Sequence, residues 1–337
     1  MDFNGRGGKK GDCAEVKERK MKKDMEIYES RKVNLGGFSQ TILLEGKRKD
    51  MPVMIMLHGG PWGPVIYGEA YRGYYPRLSE NFILVWWDQY GCGKNYTKDL
   101  KKDLTVQTFA DMTVDLVDEM KRIFPQNKLI LNGNSFGSYL SMYAAFKRQD
   151  MVDGVINLGP IMNMKEAVQN FENVCAQHAA PREKKKLEQS KKGEAIKYLL
   201  MVNKIAEKHT NCAHYKGREG HDSLTMKWMC RLFTSSDYKF SDVLGVLKAQ
   251  ATCGKSQFSM WNSLTEIDIT EITGNIKLPV IYIQGEEELY ILPERLEKLT
   301  ACHENMEYRR IPYCGHIPTK EAWPVMLDAM IAFKDRV

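Results

Sequence analysis

The chain reads as an α/β protein: a mostly parallel central sheet flanked by helices, with one α-helical cap inserted into it. Three observations predict this. Short apolar runs recur with helical patterns between them, the sign of a sheet covered on both faces. Near the middle of the chain an apolar strand, a tight glycine turn and a helix follow one another directly (LILNGNSFGSYL). Between Asn163 and Ile267 the strand runs vanish, and lysine-rich amphipathic segments such as EAIKYLLMVNKIAEKH take over. That stretch is roughly a hundred residues, longer than any ordinary loop.

The elements follow in order. The basic segment through Lys23 is an arm ahead of the first strand. MEIYESRKVNL and GFSQTILLEG form an antiparallel pair hinged at Gly36 and Gly37, and Val53 to Leu57 (VMIML) is the first fully buried strand. FILVWWD, ending at Asp88, is the next. From Thr105 a helix places Phe109, Met112, Leu116, Met120 and Ile123 three or four apart, so one stripe faces the sheet while Asp111, Asp115 and Asp118 stay wet. KLILNG (Lys128 to Gly133) is a strand, SYLSMYAAF a helix from Ser138, and GVINLG a strand from Gly154. PVIYIQG is a strand from Pro279, and MEYRRIP precedes a last helix beginning near Thr319. The expected division is an arm over 1–23, a core over 24–162 and 268–337, and a cap over 163–267.

Composition narrows the class. A chain of 337 residues with 43% hydrophobic content suits a globular protein with one large domain and an insertion. No stretch approaches the roughly 20 apolar residues of a membrane span, and MDFNGRGGKKGDC lacks the apolar core of a signal peptide, so the expected location is cytoplasmic and off the membrane. The eight cysteines are scattered from Cys13 to Cys314 and read as free thiols. Without a CxxC pair or histidines at ligand spacing, neither metal nor cofactor is expected. The net charge of +6 comes from lysines interleaved with glutamates, as around Lys184, Lys185 and Lys186, with few aromatics. That pattern reads as a solvated face, not a nucleic-acid site.

The chemistry is carried by three motifs and an acidic turn. Gly133-Asn134-Ser135-Phe136-Gly137 spells GxSxG between a strand and a helix, the context in which a serine is held on a sharp turn with its hydroxyl exposed. In isolation an ordinary glycine-rich turn reads equally well. His58 to Pro64 (HGGPWGP) follows the first buried strand and offers close-approaching backbone amides. A tetrahedral oxyanion needs two such donors, assigned to Phe136 and Gly60 with Gly59 as fallback, and His58 itself is a structural hydrogen-bonder. The general base is His316 in YCGHIP, on the loop after the last strand. His178, His209, His214 and His221 fall in the cap and His303 before the last strand, so each reads as a surface or packing residue. No aspartate lies between Asp268 and Asp328, so the third member must be a glutamate. Among Glu286, Glu287 and Glu288 after strand VIYIQ, Glu288 is the choice and Glu287 the second, with an exposed acidic turn as the competing reading. The order Ser135, Glu288, His316 is the one expected for hydrolases that carry the serine on such an elbow.

Through HGGPWGP, WWDQYGCGKN, GNSFGSYL, the QGEEE turn and CGHIP, the chain from about residue 35 onward resembles the prolyl aminopeptidase-like (proline iminopeptidase) branch of the α/β-hydrolases. The resemblance implies the α/β-hydrolase fold, a serine acyl-transfer hydrolase without cofactor, and a small-molecule or short-peptide substrate. In that branch the loops usually read HGGPG and DQRGxGxS with an aspartate acid. Here Trp62 replaces a glycine, Tyr90 an arginine and Asn95 a serine, Glu288 stands for aspartate, and Pro293 comes one residue late. Trp62 is expected to narrow or line the acyl pocket. Aminopeptidases of the branch bind the substrate amine with cap carboxylates, for which Glu166 and Glu172 are available and Glu172 is the choice. Two alternatives remain: a carboxylesterase for small acyl esters, and a catalytically impaired binding protein of the same fold.

Overall fold

β1 (Ile27–Leu35) turns at Gly36 and Gly37 into β2 (Phe38–Gly46), pairing antiparallel with Leu35 opposite Phe38. The Gly36 N–H donates to Asp115 at 2.7 Å, so an acid on the wet side of the first long helix fastens the hairpin. β2 pairs antiparallel with β4 (Ile83–Trp87), and every further pairing is parallel. β3 (Val53–Leu57) lies between β4 and β5 (Leu129–Asn134), followed by β6 (Gly154–Leu158), β7 (Val280–Gly285) and β8 (Met306–Ile311). The sheet order is β1-β2-β4-β3-β5-β6-β7-β8. Strands β3 to β7 are buried along their whole length, which is why they read as largely apolar runs; β8, at the edge, carries two exposed arginines.

This computed structural model describes residues 24–63, 72–73, 75–101, 103–216, 232–233, 235–256 and 258–337. The basic arm (1–23), Pro64 and His221 lie outside the described residues.

The helix read from Thr105 is α1 (Val106–Ile123), with Thr105 as its N-cap in a reciprocal bond with Thr108 and with Phe109, Met112, Leu116 and Met120 buried. α2 (Phe136–Lys147) begins two residues before the expected Ser138, directly after the nucleophile candidate. It is buried on almost every face, so no amphipathic stripe marks its start. Between β6 and β7 the described residues form helices: α3 (Met164–His178), α4 (Pro181–Ser190), α5 (Ala195–His209), α6 (Phe240–Ser256) and α7 (Phe258–Thr265). This stretch leaves and rejoins the sheet at one point, where Asn163 bridges Asp268 and the Met164 N–H meets the Ile267 carbonyl at 2.9 Å. Phe171 and Cys175 of α3 and Leu199, Val202 and Ile205 of α5 continue the apolar cluster that begins under the sheet. α8 (Pro293–Ala301) covers β8, and the last helix, α9 (Ala322–Ala332), starts three residues after Thr319, whose hydroxyl instead accepts the Ala322 N–H. Among the described residues no helix is long and apolar enough to cross a membrane.

Candidate active site

The elbow between β5 and α2 is set by what its neighbours leave room for. A Cβ on Gly133 would lie 2.4 Å from the Gly137 carbonyl oxygen, and one on Gly137 would lie 1.9 Å from that of Leu57. Both distances are far inside contact, so the turn against β3 closes only with glycine at these positions. Ser135 between them takes φ 51° and ψ −117°, a conformation costing about 1–3 kcal/mol for a residue with a Cβ. Its N–H is held by the Leu158 carbonyl at 3.0 Å, and the Ser138 hydroxyl closes the turn on the Ser135 carbonyl at 2.6 Å.

Across from it, on the loop after β8, His316 places Nε2 3.0 Å from Ser135 Oγ and Nδ1 2.6 Å from Glu288 Oε2. A carboxylate at Nδ1 keeps the proton there, leaving Nε2 free to accept from the serine hydroxyl. Glu288 is 2% exposed, and its other oxygen accepts the backbone N–H groups of Leu289 (2.8 Å) and Tyr290 (3.0 Å). The Glu286 carboxylate instead accepts the Tyr313 N–H at 2.6 Å, and the Glu287 backbone N–H donates to the Cys314 carbonyl at 3.1 Å. Of the three glutamates, Glu288 is the one that contacts His316. Burial alone would push the imidazole pKa down. The charge and hydrogen bond of Glu288, and then the charge of Glu207, outweigh burial and raise it above 6.5.

Phe136 is the first residue of α2, so its N–H has no partner within the helix and sits at the positive end of the helix dipole. Gly60 lines the same cavity as Ser135 at φ 123°, where a Cβ would lie 2.6 Å from the Trp62 and Gly63 nitrogens. Gly59 packs on Ser135 itself: a Cβ at Gly59 would meet Ser135 Cβ at 3.1 Å. His58 is buried, its Nδ1 on the Gly59 carbonyl and its Nε2 accepting the Gln89 N–H, with burial lowering its pKa to about 4. It is a neutral strut between the two loops. Asn95 is another strut, linking the Asp88 and Thr41 carbonyls, and Tyr90 stacks on Phe38 at 4.4 Å.

Two expectations are corrected. Among the described residues Trp62 is not in the wall of the cavity at Ser135: it is fully buried, donates to the Tyr90 carbonyl at 2.8 Å and packs edge-on against Phe109 and Trp261. A large ring two residues past Gly60 gains more from burial in the core than from facing a wet cleft. Glu172 does not reach the cavity either. It bonds Tyr198 and Lys191 in a separate groove between α3, α4 and α5, and these partners hold its pKa below the usual range. Glu166 faces Arg295 at 3.7 Å, also outside the cavity.

The cavity at Ser135, about 230 Å³, is walled on the cap side by Phe171, Asn203, Glu207 and His214 and on the core side by Tyr290 and His316. Glu207 and His214 were not anticipated in this role. Burial raises the Glu207 pKa, with His316 and Lys216 opposing, and burial together with Lys216 and His316 lowers that of His214. The available signal was the spacing of Asn203 and Glu207, one turn apart beside the buried stripe Leu199, Val202, Ala206 of α5. Among the other described histidines, His209 meets Glu183 at 2.8 Å and His303 the Leu299 carbonyl at 2.9 Å, while His178 is exposed at the end of α3.

Comparison with known proteins agrees with this architecture. The family profile described as serine aminopeptidase, S33, matches residues 54–231, more than half of the 337-residue chain. A probable aminopeptidase, YbaC, of Bacillus subtilis is 23% identical over 282 residues, covering 80% of this chain and 83% of its own. A proline iminopeptidase of Flavobacterium johnsoniae is 24% identical over 309 residues, covering 90% and 95%. The crystal structure of a proline iminopeptidase of Mycobacterium smegmatis superposes with a TM-score of 0.62 at 16% identity, over 91% of this chain and 98% of that one, and so shares its fold. With its eight-stranded, mostly parallel sheet, the chain is an α/β-hydrolase and belongs to the serine aminopeptidase S33 family of hydrolases.

Proposed function

We propose that the protein is an aminopeptidase of the proline iminopeptidase type, removing a small N-terminal residue from short peptides or amides by acyl transfer through Ser135. The observation that carries this reading is Glu207, a half-buried carboxylate in the wall of the cavity that Ser135 and His316 also line. A substrate's free ammonium is its natural counter-ion, and the charge-assisted bond is stronger where water is scarce. A cavity of about 230 Å³ is smaller than the roughly 300–1,000 Å³ of drug-sized sites, which suits a terminal residue better than an extended peptide.

With the amine on Glu207, the scissile carbonyl lies over Ser135. His316 Nε2 takes the serine proton, Oγ attacks, and the amides of Phe136 and Gly60 hold the oxyanion. The imidazolium, stabilised by Glu288, returns the proton to the leaving amine, and water then repeats the sequence to release the acyl group. The test is a panel of prolyl and alanyl arylamides, their N-acetyl forms and short acyl esters, on wild type and Ser135→Ala. The expected result is arylamide cleavage that disappears on acetylation and in the variant. Turnover of esters alone would instead make the protein a carboxylesterase.

A further inference from the structure

The turn that presents Glu288 is held from the cap. Asn170 of α3 donates to the Leu289 carbonyl at 3.0 Å, and Asn203 of α5 donates to the Tyr290 hydroxyl at 2.8 Å. Tyr290 in turn contacts both partners of the serine. Its backbone N–H is bonded to Glu288 at 3.0 Å, and its ring rests on the His316 imidazole with centroids 4.8 Å apart. Phe171 of α3 also packs edge-on with the ring, centroids 5.1 Å apart. Just past α5, the Cys212 carbonyl accepts the His316 backbone N–H at 2.6 Å.

We propose that Tyr290 is a positioning residue through which the cap aligns the catalytic histidine and its acid, with Asn203 as the anchor of its hydroxyl. This rests on the reading of Ser135 and His316 as nucleophile and base. A tyrosine ring in a cavity wall could serve packing alone, and phenylalanine would then do as well. Here the hydroxyl is fixed by a residue one helical turn from Glu207, so the group that receives the substrate amine and the anchor of the ring that steadies the imidazole ride on one helix. The reactivity of Ser135 therefore depends on how the cap is seated. Without the hydroxyl the ring keeps its volume but loses its bearing, and the imidazole samples poses from which Nε2 no longer meets Ser135 Oγ.

The experiment is the second-order rate of Ser135 labelling by a small, amine-free alkyl fluorophosphonate, which reads the serine and histidine without engaging Glu207. Wild type, Tyr290→Phe, Asn203→Ala and the double variant are compared, with kcat and KM for a prolyl arylamide measured alongside. Losing one hydrogen bond of about average worth corresponds to a slowing of about fivefold. Each single variant is expected to slow labelling by that factor and the double variant by no more than either single, because the two residues share one bond. For Tyr290→Phe the fall is expected in kcat, with KM within about twofold of wild type. Wild-type labelling rates in both single variants, or effects that multiply in the double variant, would overturn the proposal. Should Asn203→Ala fail to fold, Tyr290→Phe, which removes one oxygen, decides alone: slowed labelling supports the role and a wild-type rate refutes it. A wild-type protein that does not label at all would overturn the reading of Ser135, and this proposal with it.

Discussion

Replacing Glu288 by glutamine is an isosteric change whose outcome the local hydrogen bonds dictate. One carboxylate oxygen accepts from the Leu289 and Tyr290 backbone amides at 2.8 and 3.0 Å, and the other accepts from His316 Nδ1 at 2.6 Å. An amide has only one oxygen. Two backbone N–H groups outbid one imidazole for it, because leaving either N–H unpaired in a buried turn costs about 1–3 kcal/mol. The new NH2 group must then face Nδ1, which can only accept from it, so the ring proton moves to Nε2. There it points at Ser135 Oγ, 3.0 Å away, and the base is lost in tautomer while every heavy atom stays in place. Where a triad acid is neutralised in this manner the loss in kcat is about 10⁴-fold, roughly 5.5 kcal/mol of transition-state stabilisation. The assay is kcat on a prolyl arylamide for wild type and Glu288→Gln, with unfolding temperature as the control. A loss of about 10³-fold to 10⁴-fold with an unchanged melting temperature is expected. Activity within about tenfold of wild type would refute the reasoning and return the role to another carboxylate.

The other expectations follow from the same geometry. His316 must be neutral to act, and Glu288 and Glu207 raise its pKa above 6.5, so kcat/KM should climb with pH through a limb centred above 6.5; a limb below that value would contradict the assigned electrostatics. Glu207→Gln should raise KM for free-amine substrates about 10-fold to 100-fold, leave acyl-ester turnover within about threefold, and move the acid limb to lower pH, whereas Glu172→Gln in its separate groove should leave all three near wild type. Gly137→Ala forces a methyl group to within 1.9 Å of the Leu57 carbonyl oxygen, so it should lower stability by more than about 3 kcal/mol, read as a fall in the chemical-denaturation midpoint.

The sheet was legible because strands β3 to β7 are buried on both faces and announce themselves as apolar runs bounded by turns. The elbow was legible for a steric reason: Gly133 and Gly137 are demanded by backbone contacts, and a demand of that kind leaves a spacing in the sequence. Ser135 and His316 could be ordered along the chain because each follows a strand. The start of α2 was misplaced since a helix buried all round has no periodicity to read. Trp62 was assigned by its distance along the chain from Gly60, and chain distance does not say whether a ring turns to the cleft or to the core. Glu172 and Glu207 are both half-buried acids on amphipathic helices, and only the way α3 and α5 pack decides which one faces His316. Packing between helices far apart in sequence has no local signature, so the residues on the cap side of the cavity had to come from the structure.

The central claim is that Ser135 is a nucleophile activated by His316. The most direct measurement is to treat folded protein with a fluorophosphonate and map the adduct by mass spectrometry. One adduct per chain on the peptide containing Ser135, absent from Ser135→Ala and strongly slowed in His316→Ala, is the expected result. An unmodified Ser135, or an adduct on another residue that persists in Ser135→Ala, would contradict the claim.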